Sequence, residues 1–161
     1  MSYKLTPALS QKLAAAFKNA LDGGRLYLFA GPVPAAPEDA LDMVASHTRI
    51  AVLTVGNDGA TGLTFDAPVA GLLPKAAAEE WLGTVLFSGK DDALSELAPS
   101  FFRFGADGDT CESVSTGDRL QGTVGGPASA ADLKLGAATL VDNGTNTVGV
   151  AVFNFRVESQ G

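Results

Sequence analysis

Residues 25–37 read RLYLFAGPVPAAP, and this stretch decides the fold of the chain. Its first six residues predict a β-strand in which Leu26 and Leu28 point to one face. Tyr27 and Phe29 point to the opposite face, so both faces of this strand are apolar. The prolines that follow lack an N–H group, which excludes this segment from the interior of a sheet.

A second strand, predicted at Thr48–Val55, repeats the pattern of two apolar faces. Ile50 and Val52 alternate with Leu53 and Val55, whereas an antiparallel strand with one wet face alternates apolar and polar residues. The additional apolar face must therefore be covered by the N-terminal helix, by another subunit or by a docking partner. We expect association with another chain; the alternative is a sandwich whose central strands are covered by loops.

The clearest helix in the sequence is predicted over Pro7–Leu21. Thr6 is a suitable N-cap and is followed by proline at the first helical position, where a missing N–H costs nothing. Gly23 and Gly24 favour a left-handed end. Apolar residues recur every four positions along one face, which predicts an amphipathic helix; they are Leu9, Leu13, Phe17 and Leu21.

The remainder of the chain is predicted to be mostly β. Apolar runs bounded by turn residues predict strands at 101–104, 119–124, 132–141 and 147–157, while 74–82 and 91–97 are predicted as short helices. Residues 38–47 fit either a short helix or a loop, 57–59 predict a hairpin turn, and 63–65 can pair back across it.

The last predicted strand contains a change of parity. Val148 and Val150 share one face with Val152, but Phe153 and Phe155 fall on the other. Side chains alternate strictly along a strand, so we predict a bulge or a change of packing partner near 152–153.

These patterns predict a mainly β fold, an antiparallel β-sandwich or jelly-roll-like domain with an N-terminal amphipathic helix and short helical insertions. Residues 1–24 are predicted to form a helical arm, and residues 25–161 a single β-sandwich domain. A chain of 161 residues with 46% apolar and 18% charged residues is long enough and apolar enough to bury a core.

Charge and composition disfavour several partners. The net charge of −7 disfavours nucleic acid and anionic membrane surfaces, whose phosphates would repel the chain. No apolar run is long enough to span a bilayer, and the N-terminal residues lack a signal-peptide pattern. Synthesis and folding in the cytosol are therefore expected.

Residue types that carry chemistry are sparse. Cys111 is a single cysteine between acidic residues, which disfavour the thiolate, and it fits a buried apolar role. His47 is the single histidine and has no second ligand at helical spacing. The Asp-Gly-Asp turn at 107–109 lacks the further ligands of a calcium loop, and no phosphate-binding or dinucleotide motif is present. We expect no catalytic residue, no cofactor and no metal.

Binding to other polypeptides is instead the expected activity. Trp81 fits an interface anchor or a core residue, with the core slightly favoured. The candidate interface residues are Leu9, Leu13, Phe17, Tyr27, Phe29 and Trp81.

Three stretches resemble small virion proteins of tailed bacteriophages and prophages. Residues 25–40 have a similar strand followed by proline and an alanine-rich turn with an acidic-alanine step. Residues 101–104 read FFRF and precede an Ala-Asp-Gly turn at 106–108. Residues 119–125 read RLQGTVG and are followed by ADLKL at 131–135 and a closing valine-rich strand.

The resemblance covers about two-thirds of the chain and departs from the family in 67–98, which looks longer and more helical. It implies a β-sandwich or jelly-roll-like component of the virion, first of all a capsid decoration (cement) protein. Such a protein binds the major capsid protein and copies of itself as a homo-oligomer on the particle, and it is assembled in the host cytoplasm. A tail, baseplate or head–tail connector component is the second interpretation.

Two other classes stay open. A carbohydrate-binding β-sandwich module would need an exposed planar row of aromatic side chains, for which Tyr3, Tyr27 and Trp81 are available. An enzyme is the most distant alternative, and it would need a cleft where two titratable groups converge.

Overall fold

The computed structural model describes residues 4–88 and 96–157. In these two ranges the fold is mainly β, with one helix followed by eleven short strands. The helix α1 spans Pro7–Leu21, and the strands are β1 Arg25–Ala30, β2 Thr48–Val55, β3 Leu72–Pro74, β4 Trp81–Thr84, β5 Glu96–Leu97, β6 Phe101–Gly105, β7 Arg119–Gly125, β8 Leu133–Lys134, β9 Leu140–Val141, β10 Thr147–Val150 and β11 Asn154–Arg156.

Seven of these strands form one curled sheet in the order β10-β4-β2-β1-β6-β7-β8. All neighbours in it are antiparallel except β7 and β8, which run parallel. Two further antiparallel pairs, β11 with β3 and β5 with β9, complete the described fold. β1 is therefore a central strand, paired with β2 on one side and β6 on the other.

One face of the sheet packs on the larger core. Leu26 and Leu28 are fully buried there, as the alternation in β1 predicts. Aromatic rings fill the centre of this core with neighbouring centroids 5.3–6.4 Å apart, close enough for favourable edge and offset contacts; they are Phe65, Trp81, Phe102, Phe104 and Phe153.

The opposite face of β1 and β6 is covered by two segments that we call the loop layer, residues 31–47 and 106–118. Tyr27, Phe29 and Phe101 are buried beneath it and pack against Leu41 and Cys111 of the loop layer. The expectation that another subunit covers this face is wrong, because the chain covers it with its own loops. The alternative, cover by loops, is what the structure shows.

A buried guanidinium fastens the loop layer to the sheet. Arg103 on β6 is 0% exposed, and its Nη1 donates to the carbonyl oxygens of Asp39 at 2.8 Å and Cys111 at 2.9 Å. Its Nη2 donates to the carbonyl of Ala36 at 3.2 Å, and its Nε donates to Oε1 of Gln121 at 2.9 Å. One side chain thereby satisfies buried acceptors from both segments of the loop layer.

Two neighbouring side chains on β7 extend the same arrangement. Arg119 donates to the carbonyl of Pro37 at 3.1 Å, and Gln121 donates to the carbonyl of Pro34 at 2.9 Å. Prolines cannot donate a backbone hydrogen bond, so their segment is held through its carbonyl oxygens. The proline-rich run therefore covers the sheet without pairing with it as a strand.

The predicted helix at 74–82 is wrong. β3 ends at Pro74, a turn follows, and β4 begins at Trp81 with alternating burial. Residues 76–80 include three alanines and two glutamates, which favour a helix locally. The burial of Trp81 in the aromatic core and the pairing of β4 with β2 and β10 override that preference.

Two other predictions change in part. Residues 91–95 of the predicted helix 91–97 lie outside the described residues, while Glu96–Leu97 form β5, paired with β9. The strand predicted at 132–141 is divided into β8 and β9, which belong to different sheets. Residues 38–47 form a loop with turns. Short helical insertions are therefore not found among the described residues.

The predicted break near 152–153 is confirmed as a change of partner. Val148 and Val150 are buried where β10 pairs with β4 at one edge of the main sheet. Phe153 then enters the aromatic core, and Phe155 continues in β11, which pairs with β3. The parity change in the sequence marks the point where the chain leaves one sheet for another.

Replacing Arg103 by methionine tests the role of the buried guanidinium. Arg103→Met leaves the carbonyls of Asp39 and Cys111 without donors and removes one of the two donors to the carbonyl of Ala36, so we expect a loss of about 3 kcal/mol in the free energy of unfolding. Urea denaturation measures the loss, and limited proteolysis should cut within 31–47 sooner than in the wild type.

The matched control is Arg156→Met, at an exposed position on β11. This change should stay within about 0.5 kcal/mol of the wild type. Equal stability of the two variants would contradict the role assigned to Arg103.

Candidate interaction surface

α1 turns three of its four large apolar side chains outward. Its buried positions include Ser10 and Ala14, each 0% exposed, and Leu21 near its C-terminal end. Three large residues lie on the outer side and form what we call the α1 stripe: Leu9, Leu13 and Phe17, which are 44%, 38% and 37% exposed. The usual arrangement of an amphipathic helix, with its large apolar residues in the core, is thus reversed for this row.

Polar contacts fix the helix in this rotation. Lys18 donates from Nζ to the carbonyl of Phe65 at 2.6 Å, and Asp22 accepts from the backbone N–H of Phe65 at 2.9 Å. Two turns earlier, the side chain of Gln11 donates to the carbonyl of Pro68 and accepts from the N–H of Gly71 at 3.2 Å. Long polar side chains therefore face the domain.

Small residues let the helix approach β3 closely. Gly71, just before β3, has φ +79°, and a Cβ there would lie 3.0 Å from the Cβ of Ser10 and 2.7 Å from the carbonyl oxygen of Val157. Phe17 rests on Phe155 of β11, with ring centroids 4.5 Å apart. The segment predicted as an arm thus includes a helix that is packed against the domain along one side.

Beside the α1 stripe lies a groove of about 590 Å³, which we call the α1 groove. One wall is the outer side of the helix, and the other is formed by residues 37–38 and 115–120. The lining is mostly apolar and includes Leu13, Ala16, Phe17, Ala20 and Leu120. A groove of this size is within the range that binding sites occupy.

The wall opposite the helix is acidic. Glu38 and Asp118 are exposed there and form what we call the acidic wall. The nearby guanidinium of Arg119 is engaged with Asp109, with Nε–Oδ2 at 2.6 Å and Nη2–Oδ1 at 2.7 Å. This two-bond pairing, with the Arg119 side chain 1% exposed, leaves the rim of the groove with negative charge.

The same pair shifts the titration of both partners. Hydrogen bonds from Arg119 hold the pKa of Asp109 below its ordinary value of 3.8, aided by the backbone N–H of Cys111, although burial opposes the shift. The pKa of Arg119 is raised in return, chiefly by its hydrogen bonds with Asp109. Asp109 therefore stays ionised and anchors the loop layer.

Three of the six predicted interface residues are not on the surface. Tyr27 is 5% exposed and Phe29 0%, both under the loop layer, and Trp81 is 1% exposed in the aromatic core. The indole N–H of Trp81 donates to Oε2 of Glu79 at 2.9 Å. Their prediction as interface residues is wrong, because the chain buries them itself, and the core alternative for Trp81 is confirmed. Leu9, Leu13 and Phe17 remain exposed.

The sparse reactive groups have structural partners. The thiol of Cys111 is buried, which raises its pKa to about 12, with a further contribution from Asp109. His47 accepts the N–H of Asp42 at Nδ1, so its Nε2 carries the proton and donates to the carbonyl of Pro32 at 2.8 Å. His47 thereby connects residues 32 and 42 of the loop layer, and Cys111 packs in the smaller core beneath that layer's surface.

Neither a metal site nor a spanning helix is found in residues 4–88 and 96–157. No group of three potential metal-ligating side chains occurs in these ranges. The described part of the chain also lacks a helix long and apolar enough to cross a bilayer.

Comparison with known proteins found no matching family model, no matching curated protein and no matching solved structure.

The second wall of the α1 groove was not predicted from the sequence. Glu38, Asp118 and Leu120 lie far from α1 in the chain, and no periodicity connects them with it. The sequence indicated only the helical side of the groove, through the four-residue spacing of Leu9, Leu13 and Phe17.

Lowering the pH tests the Arg119–Asp109 pair. Because the folded state lowers the pKa of Asp109, the resulting stability is fully present above about pH 3.8 and is lost as the pH falls through the lower, folded-state pKa. We expect Asp109→Asn to reduce the free energy of unfolding by about 2 kcal/mol at pH 7. The difference from the wild type should shrink below pH 3.8.

Denaturant unfolding at pH 7, 4 and 3 measures this, and Asp107→Asn, at an exposed position in the same turn, is the control. A pH-independent difference for Asp109→Asn would contradict the assignment.

Adding a methyl group at Gly71 tests the close approach of α1. Gly71→Ala combines a left-handed φ with the contacts to Ser10 and Val157, whereas Gly144→Ala has φ +76° and no atom within 4 Å. We expect Gly71→Ala to be less stable than Gly144→Ala by about 1–3 kcal/mol in thermal or urea unfolding. Equal losses would show that α1 does not need this approach.

Proposed function

We propose that this chain is a non-enzymatic structural protein of a tailed-bacteriophage particle, and that it acts as a capsid decoration (cement) protein on the major capsid shell. One observation carries the proposal: α1 holds Leu9, Leu13 and Phe17 outward beside an apolar groove. Exposed apolar surface that forms a contiguous patch marks a site for another polypeptide. The chain therefore acts by binding, and the α1 stripe is its contact surface.

The placement of the virion-like stretches supports this proposal. The strand portions of these stretches include β1, β6, β7 and β8, which are adjacent in the main sheet, while the closing valine-rich stretch begins with β10 at the opposite edge. A shared framework of neighbouring strands is what a structural resemblance requires. We assign the curled sheet to the sandwich or jelly-roll-like group on the same basis, and the chain to the virion, with assembly in the host cytoplasm.

Charge supports polypeptide partners over nucleic acid or membrane. The net charge of −7 is repelled by phosphates, whereas apolar contacts are indifferent to it. Many such contacts add about 25 cal/mol per Å² of apolar surface buried, before the costs of association. Repetition over a shell makes modest contacts sufficient.

A tail, baseplate or head–tail connector component is the second candidate, because the same contact surface suits any assembled part of a virion. A carbohydrate-binding module would need a row of exposed aromatic side chains, whereas Tyr27 and Trp81 are buried. Tyr3 lies outside the described residues.

Fractionated particles test the proposal. Heads and tails of the phage or prophage that encodes this chain are separated on a gradient, and each fraction is analysed by mass spectrometry. We expect the chain in the head fraction. Its presence with the tails would favour the second candidate, and absence from both fractions would overturn a structural role in the virion.

A matched pair of variants tests whether the α1 stripe serves attachment. Heads assembled without the chain are mixed with purified protein and sedimented. We expect Leu13→Gln to require about tenfold more protein for half-saturation, because it places an amide in an apolar contact. Leu86→Gln, at a 60% exposed leucine on another surface, should bind as the wild type does.

A further inference from the structure

We propose that the α1 groove is filled by α1 of a second copy of this chain, so that two copies form a twofold dimer whose two grooves are occupied at once. The inference rests on the proposed function in one respect, that the α1 stripe is a contact surface, and it names the partner at that surface. A twofold contact uses the same patch on both chains, so the patch must be complementary to itself.

The outer side of α1 has this self-complementary shape. Leu9, Leu13 and Phe17 form a tall row at four-residue spacing, and both Leu13 and Phe17 line the groove. The adjacent row at the same spacing contains the small residues Ala16 and Ala20, which also line it. A tall row beside a shallow row is what two helices need to pack ridge into groove, at a crossing angle of about −50°.

Charge favours a second copy as the occupant. The segment from Lys4 to Leu21 contains three lysines and no acidic residue, although the chain as a whole has a net charge of −7. The body of the chain is thus acidic and its helix basic. The helix of one copy and the acidic body of another therefore attract each other locally, while the net charge of −7 on each copy opposes association.

The local arrangement agrees with the overall charge. Lys18 is paired with Asp22 in its own chain, whereas Lys12 is exposed and directly precedes Leu13 of the stripe. The wall across the groove presents Glu38 and Asp118. A second α1 that inserts its stripe into the groove brings its Lys12 to the acidic wall, which neutralises charge at both ends of the contact.

Sedimentation velocity of the purified full chain tests the dimer. At an ionic strength of about 0.15 M, where the repulsion between two acidic chains is screened beyond about 8 Å, we expect a monomer–dimer equilibrium at increasing concentration. The dissociation constant should be about tenfold higher for Leu13→Gln. Leu86→Gln, exposed elsewhere, is the control and should dimerise as the wild type does. A wild type that stays monomeric, or a dimer that Leu13→Gln leaves unchanged, overturns the inference.

Charge reversal tests the arrangement inside the dimer. One variant carries Lys12→Glu, and the other carries Glu38→Lys together with Asp118→Lys. Each alone places like charges in both grooves of its homodimer, so each should dimerise several-fold more weakly than the wild type. Mixed together they restore opposite charges in both grooves, and a heterodimer should form at close to wild-type strength.

Lys134→Glu, at an exposed position on β8, is the control for net charge and should leave dimerisation unchanged. Equal behaviour of the separate and mixed variants overturns the assignment of α1 to the partner's groove. Because the reversed residues are exposed, their effect does not depend on a change in folding, which urea unfolding of each variant checks.

The two proposals fail separately. A monomer in solution that is nevertheless found on phage heads would overturn the dimer and leave the decoration role. A dimer with the expected charge rescue that is missing from heads and tails would overturn the decoration role and leave the dimer.

Discussion

The fold depends on the capture of backbone carbonyls by one buried guanidinium. Arg103 reaches both parts of the loop layer from the centre of the sheet, and Arg119 and Gln121 add carbonyls of the proline-rich run. Burial lowers the pKa of Arg103 from its ordinary value, and the nearby charge of Arg119 lowers it further. An arginine remains charged under such conditions and supplies donors that no aliphatic residue offers. Hydrogen bonds therefore attach the loop layer to the sheet, and apolar side chains fill the space between the two.

Because the loop layer covers the second face of the sheet, the apolar surface that needs a partner is the α1 stripe and not a sheet face. With Tyr27 and Phe29 enclosed, the two-faced strands that first suggested association are satisfied within one chain. The α1 stripe is not, because Gln11 and Lys18 turn the helix so that its large residues face out. The proposal that the chain associates therefore rests on one helix surface and no longer on the strand faces.

Periodicity and parity predicted the elements in which the local sequence preference agrees with the tertiary packing. α1, β1 and β2 lie where alternation or four-residue spacing places them, and the parity change at 152–153 marks a real exchange of partners. The prediction for 74–82 failed because the burial of Trp81 outweighs local helix propensity. The role of Arg103 could not be predicted from the sequence, because its acceptors at Ala36 and Asp39 lie 67 and 64 residues away in the chain. Outward rotation of the predicted stripe depends on similarly distant carbonyls.

The contact between Phe17 and Phe155 also sets an order of events during synthesis. The helix emerges from the ribosome first, but the ring that supports it is translated more than a hundred residues later. At ordinary elongation rates that interval is on the order of ten seconds. Throughout this period a nascent chain consequently lacks the Phe155 ring on which Phe17 of its helix packs. Complete packing of that helix against the domain is thereby delayed until nearly all of the sheet has been made.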